Sequence, residues 1–109
     1  MLVVKKFGGT SVGNPERIKK VAQKCAQAYH EGQDLVVVLS AMGQVTDELI
    51  ALANQINPNA PKREMDALLT TGEQTSVALM AMALDSLNIP AVSLNAFQVP
   101  MLTTMDYGN

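Results

Sequence analysis

The stretch VVKKFGGTSVGNPERI, residues 3–18, decides how this chain begins to fold. Its β-branched apolar run predicts a strand at Leu2–Phe7, and the glycines that follow predict a loop at residues 8–13. Asn14 and Pro15 suit the N-cap and the first position of a helix. Adjacent glycines between a strand and a helix leave the backbone bare, so the loop is a candidate ligand site as well as a turn.

Strands and helices continue to alternate along the rest of the chain. Gly32 is expected to end the first helix, and DLVVVLSA predicts a strand buried on both faces. The apolar stripe of a second helix stops at Asn57 and Pro58. A further helical stretch begins near Pro61, with a break expected around residues 70–72, and its second half, SVALMAMALDSL, predicts a buried helix. IPAVSL predicts a third strand, followed by an extended tail, so the order indicates an α/β fold with parallel strands.

Length and composition bound the kind of protein. A chain of 109 residues, 48% of them hydrophobic, is long enough for one domain with a modest core. The net charge of −2 is spread out, which disfavours partners such as nucleic acid or an anionic membrane. Cys25 is the single cysteine and lies on the apolar stripe of the first helix, so it is expected to be a buried hydrophobe in a cytoplasmic protein. No cluster of histidine and cysteine suggests a metal site.

The segment KFGGTS follows the first strand, where ligands bind in open α/β folds. Gly8 and Gly9 allow backbone N–H groups to approach an anion, Lys6 adds a positive charge, and two hydroxyl groups follow. A phosphate fits this grouping, although the order of residues matches neither the P-loop nor the GxGxxG motif. A plain strand-to-helix turn with solvated lysines is the alternative.

Two further segments, SAMGQVTD and TTGEQT, carry candidate site residues, each with a structural alternative. Ser40 ends the second strand and Thr46 precedes a helix, where a threonine also serves as an N-cap. Glu73 follows a glycine at an expected helix start, where a carboxylate can bind a substrate ammonium group or favour the helix dipole. His30, at the end of the first helix, needs no functional explanation.

Taken together, these segments resemble the N-terminal portion of the aspartate kinases, within the amino acid kinase family. The three motifs KFGGTS, VVVLSAMGQVTD and REMDALLTTGE occur in the family's order, and the similarity extends over essentially the whole chain. The resemblance implies a three-layer α/β/α fold with a mainly parallel sheet, similar to carbamate kinase and incomplete in this chain. It further implies that residues 1–109 are the N-terminal part of one kinase domain, without the nucleotide-binding half or the regulatory ACT domains.

The resemblance also implies a reaction and roles for the matching residues. ATP, with Mg²⁺ held mainly by ATP and by parts outside this chain, would phosphorylate the side-chain carboxylate of L-aspartate in the first step towards lysine, methionine and threonine. Lys6 would be catalytic, and Lys6, Phe7, Gly8 and Gly9 would bind ATP phosphates, whereas Ser40, Thr46 and Glu73 would bind aspartate. No role is expected for residues after Asn95, because Tyr107 stands where the family often has histidine.

Other functions remain open at this point. Another acyl-phosphate-forming kinase of the same fold would act on glutamate, N-acetylglutamate, carbamate or a nucleotide. A non-catalytic assembly module that pairs with kinase subunits is a second alternative, and an unrelated Rossmann-like binder is a third. As a kinase, the protein is expected to bind L-aspartate and ATP and to form a homo- or hetero-oligomer with aspartate kinase subunits. The chain by itself is expected to lack activity and to expose a sheet edge that favours self-association.

Overall fold

The computed structural model describes residues 1–94, and the sequence-based expectations for the tail and for Tyr107 lie outside this range. Two strands and three helices follow one another in the order β1, α1, β2, α2 and α3. Their bounds are Leu2–Phe7 for β1, Pro15–His30 for α1, Asp34–Leu39 for β2, Val45–Ile56 for α2 and Lys62–Ser86 for α3.

The strands β1 and β2 pair in parallel, with a register that runs from Leu2 opposite Asp34 to Phe7 opposite Leu39. Parallel strands need a crossover between them, and the helix α1 supplies it. The expectation of an α/β fold with a parallel sheet is therefore confirmed. Because the strands are parallel and in register, both of their carboxyl ends lie at the same edge of the sheet.

The helix α1 begins and ends where its sequence predicts. The side-chain oxygen of Asn14 accepts a hydrogen bond from the backbone amide of Arg17 at 2.9 Å, and Pro15 is the first helical residue. After the helix, Gly32 adopts a φ of +94°, which a residue with a Cβ rarely does. N-cap, first position and terminating glycine are thus all confirmed.

The core lies between one face of the sheet and the helices α1 and α3. Side chains of alternate strand residues, Phe7, Leu35 and Val37, pack against it from the sheet. The buried cluster consists of Val12, Ile18, Val21, Ala22, Cys25, Ala26, Leu39, Met80, Leu84 and Ile89. The helical spacing of the sequence predicts an apolar stripe on α1, and its buried members form the core face of that helix: Ile18, Val21, Ala22, Cys25 and Ala26. The last residue of the predicted stripe, Tyr29, is exposed at the end of the helix.

The other face of the sheet is open among the described residues, which corrects the prediction that β2 is buried on both faces. Val36 and Val38 are 47% and 44% exposed, because no element of residues 1–94 covers this side. The same applies to the stripe of α2, where Ile56 is 87% exposed. The described residues thus form two layers of the expected three.

The helix α3 runs without interruption, so the predicted break around residues 70–72 is wrong. The hydroxyl groups of Thr70, Thr71 and Thr75 donate to carbonyls of Asp66, Leu68 and Thr71 in the same helix, at 2.6–2.9 Å. The polar side chains therefore bond within the helix rather than end it. The second half is not buried all round either, since Met82 is 64% exposed on the side away from the core.

A third strand is absent from the described sheet, contrary to the prediction from IPAVSL. Residues 89–94 have no strand pairing, although Ile89 is buried in the core and anchors the chain after α3. Pro90 has no backbone N–H to donate to a neighbouring strand. Among residues 1–94, no helix is long and apolar enough to cross a membrane.

Candidate functional site

Two loops meet at the carboxyl edge of the sheet. The first loop is residues 8–13, after β1, and the second loop is residues 40–44, after β2. The amide of Ser40 donates to the carbonyl of Phe7 at 3.1 Å, and the amide of Gly43 donates to the carbonyl of Gly9 at 3.4 Å. The parallel pairing of the strands therefore brings the first two predicted site segments into direct contact.

Glycines permit the close approach of these loops. A Cβ atom at Gly9 would lie 3.2 Å from the carbonyl oxygen of Ala41, which is tighter than an ordinary contact. Gly43 has a φ of +37°, and a Cβ there would lie 3.0 Å from the carbonyl oxygen of Gly13. The packing of one loop on the other explains why both positions carry glycine.

Gly8 differs from these two residues. A Cβ atom at Gly8 would meet nothing within 4 Å, and its φ is not positive. Within residues 1–94, neither packing nor backbone conformation requires a glycine at this position. A ligand that approaches the backbone would require one.

The carbonyl groups of the first loop fix the direction of its amides. The carbonyl of Gly8 accepts from the amide of Ser11 at 3.1 Å, and the carbonyl of Gly9 accepts from Gly43. In a trans peptide the N–H points opposite to the C=O, so the amides of Gly9 and Thr10 point away from these partners. Neither amide donates to a protein carbonyl among the described residues. Two neighbouring N–H groups are therefore free to bind an anion.

An open cleft of ≈ 760 Å³ lies between the two loops and the first turns of α1 and α2. Arg17 lines it from α1 and Glu48 from α2, opposite the glycines of the loops. The guanidinium Nη1 of Arg17 donates to the carbonyl of Thr10 at 2.7 Å. Sequence reasoning missed Arg17, although helical side chains lean towards the N-terminus and a first-turn residue reaches back over the preceding loop.

Lys6 lies on the open side of the sheet, opposite Val38 in the register, and is exposed. Ser40 directly follows the last residue of β2 and is half-buried. Phe7 points to the opposite face and packs against the core, which leaves only its backbone at the loop. Of the predicted phosphate-binding residues, only Gly9 lines the cleft between the loops.

Thr46 is the second residue of α2 and not its N-cap, so the capping alternative is wrong. The helix begins at Val45, Gln44 stands at the N-cap, and no side chain caps the helix. The acidic first turn of Asp47 and Glu48 is present as the sequence suggested. Thr46 is half-buried and lines neither this cleft nor the groove described next.

Glu73 lies inside α3 and not at a helix start, which corrects the prediction for TTGEQT. It is exposed and lines a second groove of ≈ 590 Å³, together with β2 and residues 89–94. The preceding Gly72 is buried against α2, where a Cβ would lie 3.1 Å from Ala41 and 3.2 Å from Val45. Helix packing thus explains Gly72 and brings the chain at Glu73 next to the second loop.

The remaining titratable candidates show no catalytic arrangement. Cys25 is buried, and its desolvation raises the pKa of the thiol above the ordinary 9.0, with a smaller opposing effect of Lys5. This confirms the prediction of a buried hydrophobe. Within residues 1–94, no three His, Cys, Asp or Glu side chains are placed to hold a metal ion.

Comparison with known proteins assigns the family. The sequence model of the amino acid kinase family matches residues 1–107. The chain belongs to the amino acid kinase family. Within this family, it is 55% identical over 108 residues to an aspartokinase of Thermus thermophilus and 52% identical to one of Bacillus sp. strain MGA3. These matches include 99% of the chain and 27% and 26% of the relatives, so the chain spans about a quarter of their length.

A solved family member supports the fold. The crystal structure of aspartate kinase from Synechocystis superposes with a TM-score of 0.84 at 56% sequence identity. The superposition covers 86% of this chain and 16% of that chain. The parallel sheet and its helices are therefore part of an incomplete α/β fold of this family, as the sequence motifs predict.

Proposed function

We propose that this chain forms part of an aspartate kinase, which transfers the γ-phosphoryl group of ATP to the side-chain carboxylate of L-aspartate. A bond forms between a carboxylate oxygen and the γ-phosphorus, the bond from that phosphorus to the β,γ-bridging oxygen breaks, and 4-phospho-L-aspartate and ADP result. The relatives named as aspartokinases, at 55% and 52% identity, support this choice within the family. The product would enter the biosynthesis of lysine, methionine and threonine.

The observation that carries the proposal is Gly8. Among residues 1–94, a Cβ at Gly8 would meet no neighbour and its φ is not positive, yet Gly8 adjoins the amides of Gly9 and Thr10, which donate to no protein carbonyl in that range. A phosphate group needs both a bare backbone and free N–H donors. A simple turn needs neither at this place.

The proposed roles follow from charge and position. Phosphoryl transfer needs positioning and charge stabilisation more than covalent chemistry by the protein. Lys6, at the end of β1, would stabilise charge on the transferring group, and the backbone of residues 7–9 would contact ATP phosphates. Ser40 is the first residue of the second loop and Thr46 lies just after that loop in α2, and both would position aspartate. The carboxylate of Glu73 would bind the ammonium group of aspartate.

ATP with Mg²⁺ is the proposed phosphoryl donor. The described residues offer no acidic cluster for the ion, so their part in binding the nucleotide would be through amides and Lys6. Mg²⁺ would be held mainly by ATP and by parts of the protein outside this chain, and would neutralise phosphate charge.

The organisation of the protein belongs to the same proposal. Residues 1–109 would be the N-terminal part of one kinase domain, to which other regions contribute the nucleotide-binding half and regulatory ACT domains. The protein would act in the cytoplasm and associate with further aspartate kinase subunits.

A graft tests the proposal in a full-length context. Residues 1–109 replace the matching segment of the Thermus thermophilus aspartokinase, and acyl phosphate is trapped with hydroxylamine. L-Aspartate is compared with L-glutamate, N-acetylglutamate and carbamate as acceptors. We expect product with aspartate and its loss in the same graft with Gly8→Ala. If the folded graft phosphorylates another acceptor in preference to aspartate, the proposed function would have to be changed to the kinase that acts on that acceptor.

A further inference from the structure

Arg17 occupies a position that is unfavourable for a cation. It lies in the first turn of α1, where the helix dipole presents partial positive charge and an acidic residue such as Glu16 is preferred. The side chain is exposed, so burial does not explain its place either. A specific partner is needed to account for its position.

That partner is the first loop. The guanidinium of Arg17 donates to the carbonyl of Thr10 at 2.7 Å, a short distance typical of a charge-assisted hydrogen bond. The same carbonyl accepts from the amide of Gly13 at 3.3 Å, a longer and weaker bond. Among the described residues, the other hydrogen bonds to carbonyls of this loop come from backbone amides, so Arg17 adds its side-chain donor.

The bond fixes the direction of one peptide group. When the carbonyl of Thr10 points to Arg17, the amide of Ser11 points the other way and donates to Gly8 at 3.1 Å. This closes the turn that holds the peptide between Gly8 and Gly9. Without Arg17, the 3.3 Å bond from Gly13 would be the one hydrogen bond from residues 1–94 that holds the carbonyl of Thr10.

We propose that Arg17 is a positioning residue, which clamps the carbonyl of Thr10 and thereby, through the bond from Ser11 to Gly8, orients the amide of Gly9 towards a phosphate group, next to the amide of Thr10 that the bond from Gly43 already orients. The inference rests on the proposed function, because it presupposes that these amides bind the phosphates of ATP. In this proposal, the positive charge of Arg17 holds the first loop in its conformation and does not act by attracting the nucleotide in general.

The experiment uses the 109-residue chain with Arg17→Gln, Arg17→Lys and Lys20→Gln. Lys20 is exposed on the same helix, so Lys20→Gln makes the same change of charge away from the loop. In this chain, the NMR order parameter of the Gly9 amide is measured without ligand. ATP affinity is measured by titration in the full-length graft described above, which carries the same substitutions. Urea unfolding confirms that each variant is folded.

In the wild type and in Lys20→Gln, we expect order parameters near the rigid value of about 0.85, and in Arg17→Gln a fall towards the flexible range below about 0.6. Loss of a charge-assisted bond should weaken ATP binding about tenfold in Arg17→Gln, with Arg17→Lys intermediate in both measurements.

Unchanged order parameters in Arg17→Gln would overturn the proposal. So would full ATP affinity in Arg17→Lys with a flexible loop, because charge alone would then suffice. If the wild-type graft binds no ATP and phosphorylates no aspartate while Arg17→Gln still loosens the loop, the positioning role stands and the proposed function fails.

Discussion

The contact between the two loops makes a quantitative prediction for Gly43→Ala. Gly43 has a φ of +37°, and a new Cβ would lie 3.0 Å from the carbonyl oxygen of Gly13. Left-handed backbone costs an L-residue about 1–2 kcal/mol, and a forced contact in a packed region costs about 1–3 kcal/mol more. We therefore expect Gly43→Ala to lower the free energy of unfolding by about 2–5 kcal/mol.

Gly32→Ala is the matched control, because it separates the backbone effect from the contact. Gly32 also has a positive φ, of +94°, but a Cβ there would meet nothing within 4 Å. It should cost only the backbone part, about 1–2 kcal/mol. The assay is urea unfolding followed by circular dichroism, with midpoint and slope fitted for both variants.

The comparison of the two variants decides the matter. If Gly43→Ala is clearly less stable than Gly32→Ala with an unchanged slope, the two loops are held together as described. If Gly43→Ala is no less stable than Gly32→Ala, the loops do not pack through Gly43 and Gly13, and the cleft between them is not formed.

Three further predictions concern other parts of the molecule. In the grafted full-length enzyme, Lys6→Ala should lower kcat by about 10²–10³-fold. Glu73→Ala should raise KM for aspartate by about 10–100-fold with little change in kcat. If both variants change kcat and KM equally, these roles are refuted. Burial raises the pKa of the Cys25 thiol in the folded chain, so as pH rises the thiol loses its proton in the unfolded chain before it does so in the folded chain. Stability should therefore fall above the ordinary thiol pKa of 9.0, and urea midpoints between pH 7 and pH 10 should fall less in Cys25→Ala. The 109-residue chain alone should show negligible aspartate-dependent ATP turnover in a coupled ADP assay, and turnover near an ordinary enzyme rate, about 1 s⁻¹ or more, would contradict this.

Local signals in the sequence were sufficient for the first half of the fold. The β-branched run, the Asn14 and Pro15 pair and Gly32 act within a few residues of themselves, so β1 and α1 have the predicted bounds. The break predicted around residues 70–72 is absent, because Gly72 serves the packing of α3 and does not end the helix. Its absent side chain in fact lets α3 pack closely on Ala41 and Val45, a contact between distant segments.

The candidate site shows the same limit. The sequence indicated that the first two loops lie at one edge of the sheet, because that follows from parallel strands. The sequence could not show that the two glycines have different reasons to be there. Gly9 is required by its packing on Ala41, whereas no contact within residues 1–94 requires a glycine at position 8. The sequence also did not indicate a role for Arg17. The partner of its guanidinium is a backbone carbonyl, and because every residue has one, the residue type at position 10 does not reveal the contact.

The most direct test of the central claim is an NMR titration of the grafted full-length enzyme with ATP, with and without Mg²⁺, for wild-type residues 1–109 and for Gly8→Ala. A Cβ at Gly8 has no neighbour within 4 Å, so the variant should unfold at the wild-type urea concentration. We expect ATP to shift the amide signals of Gly9 and Thr10 in the wild type and to bind at least about tenfold more weakly to Gly8→Ala. A folded wild type whose loop signals ignore ATP, or a Gly8→Ala variant that binds ATP equally well, would contradict the assignment of this loop to phosphate binding.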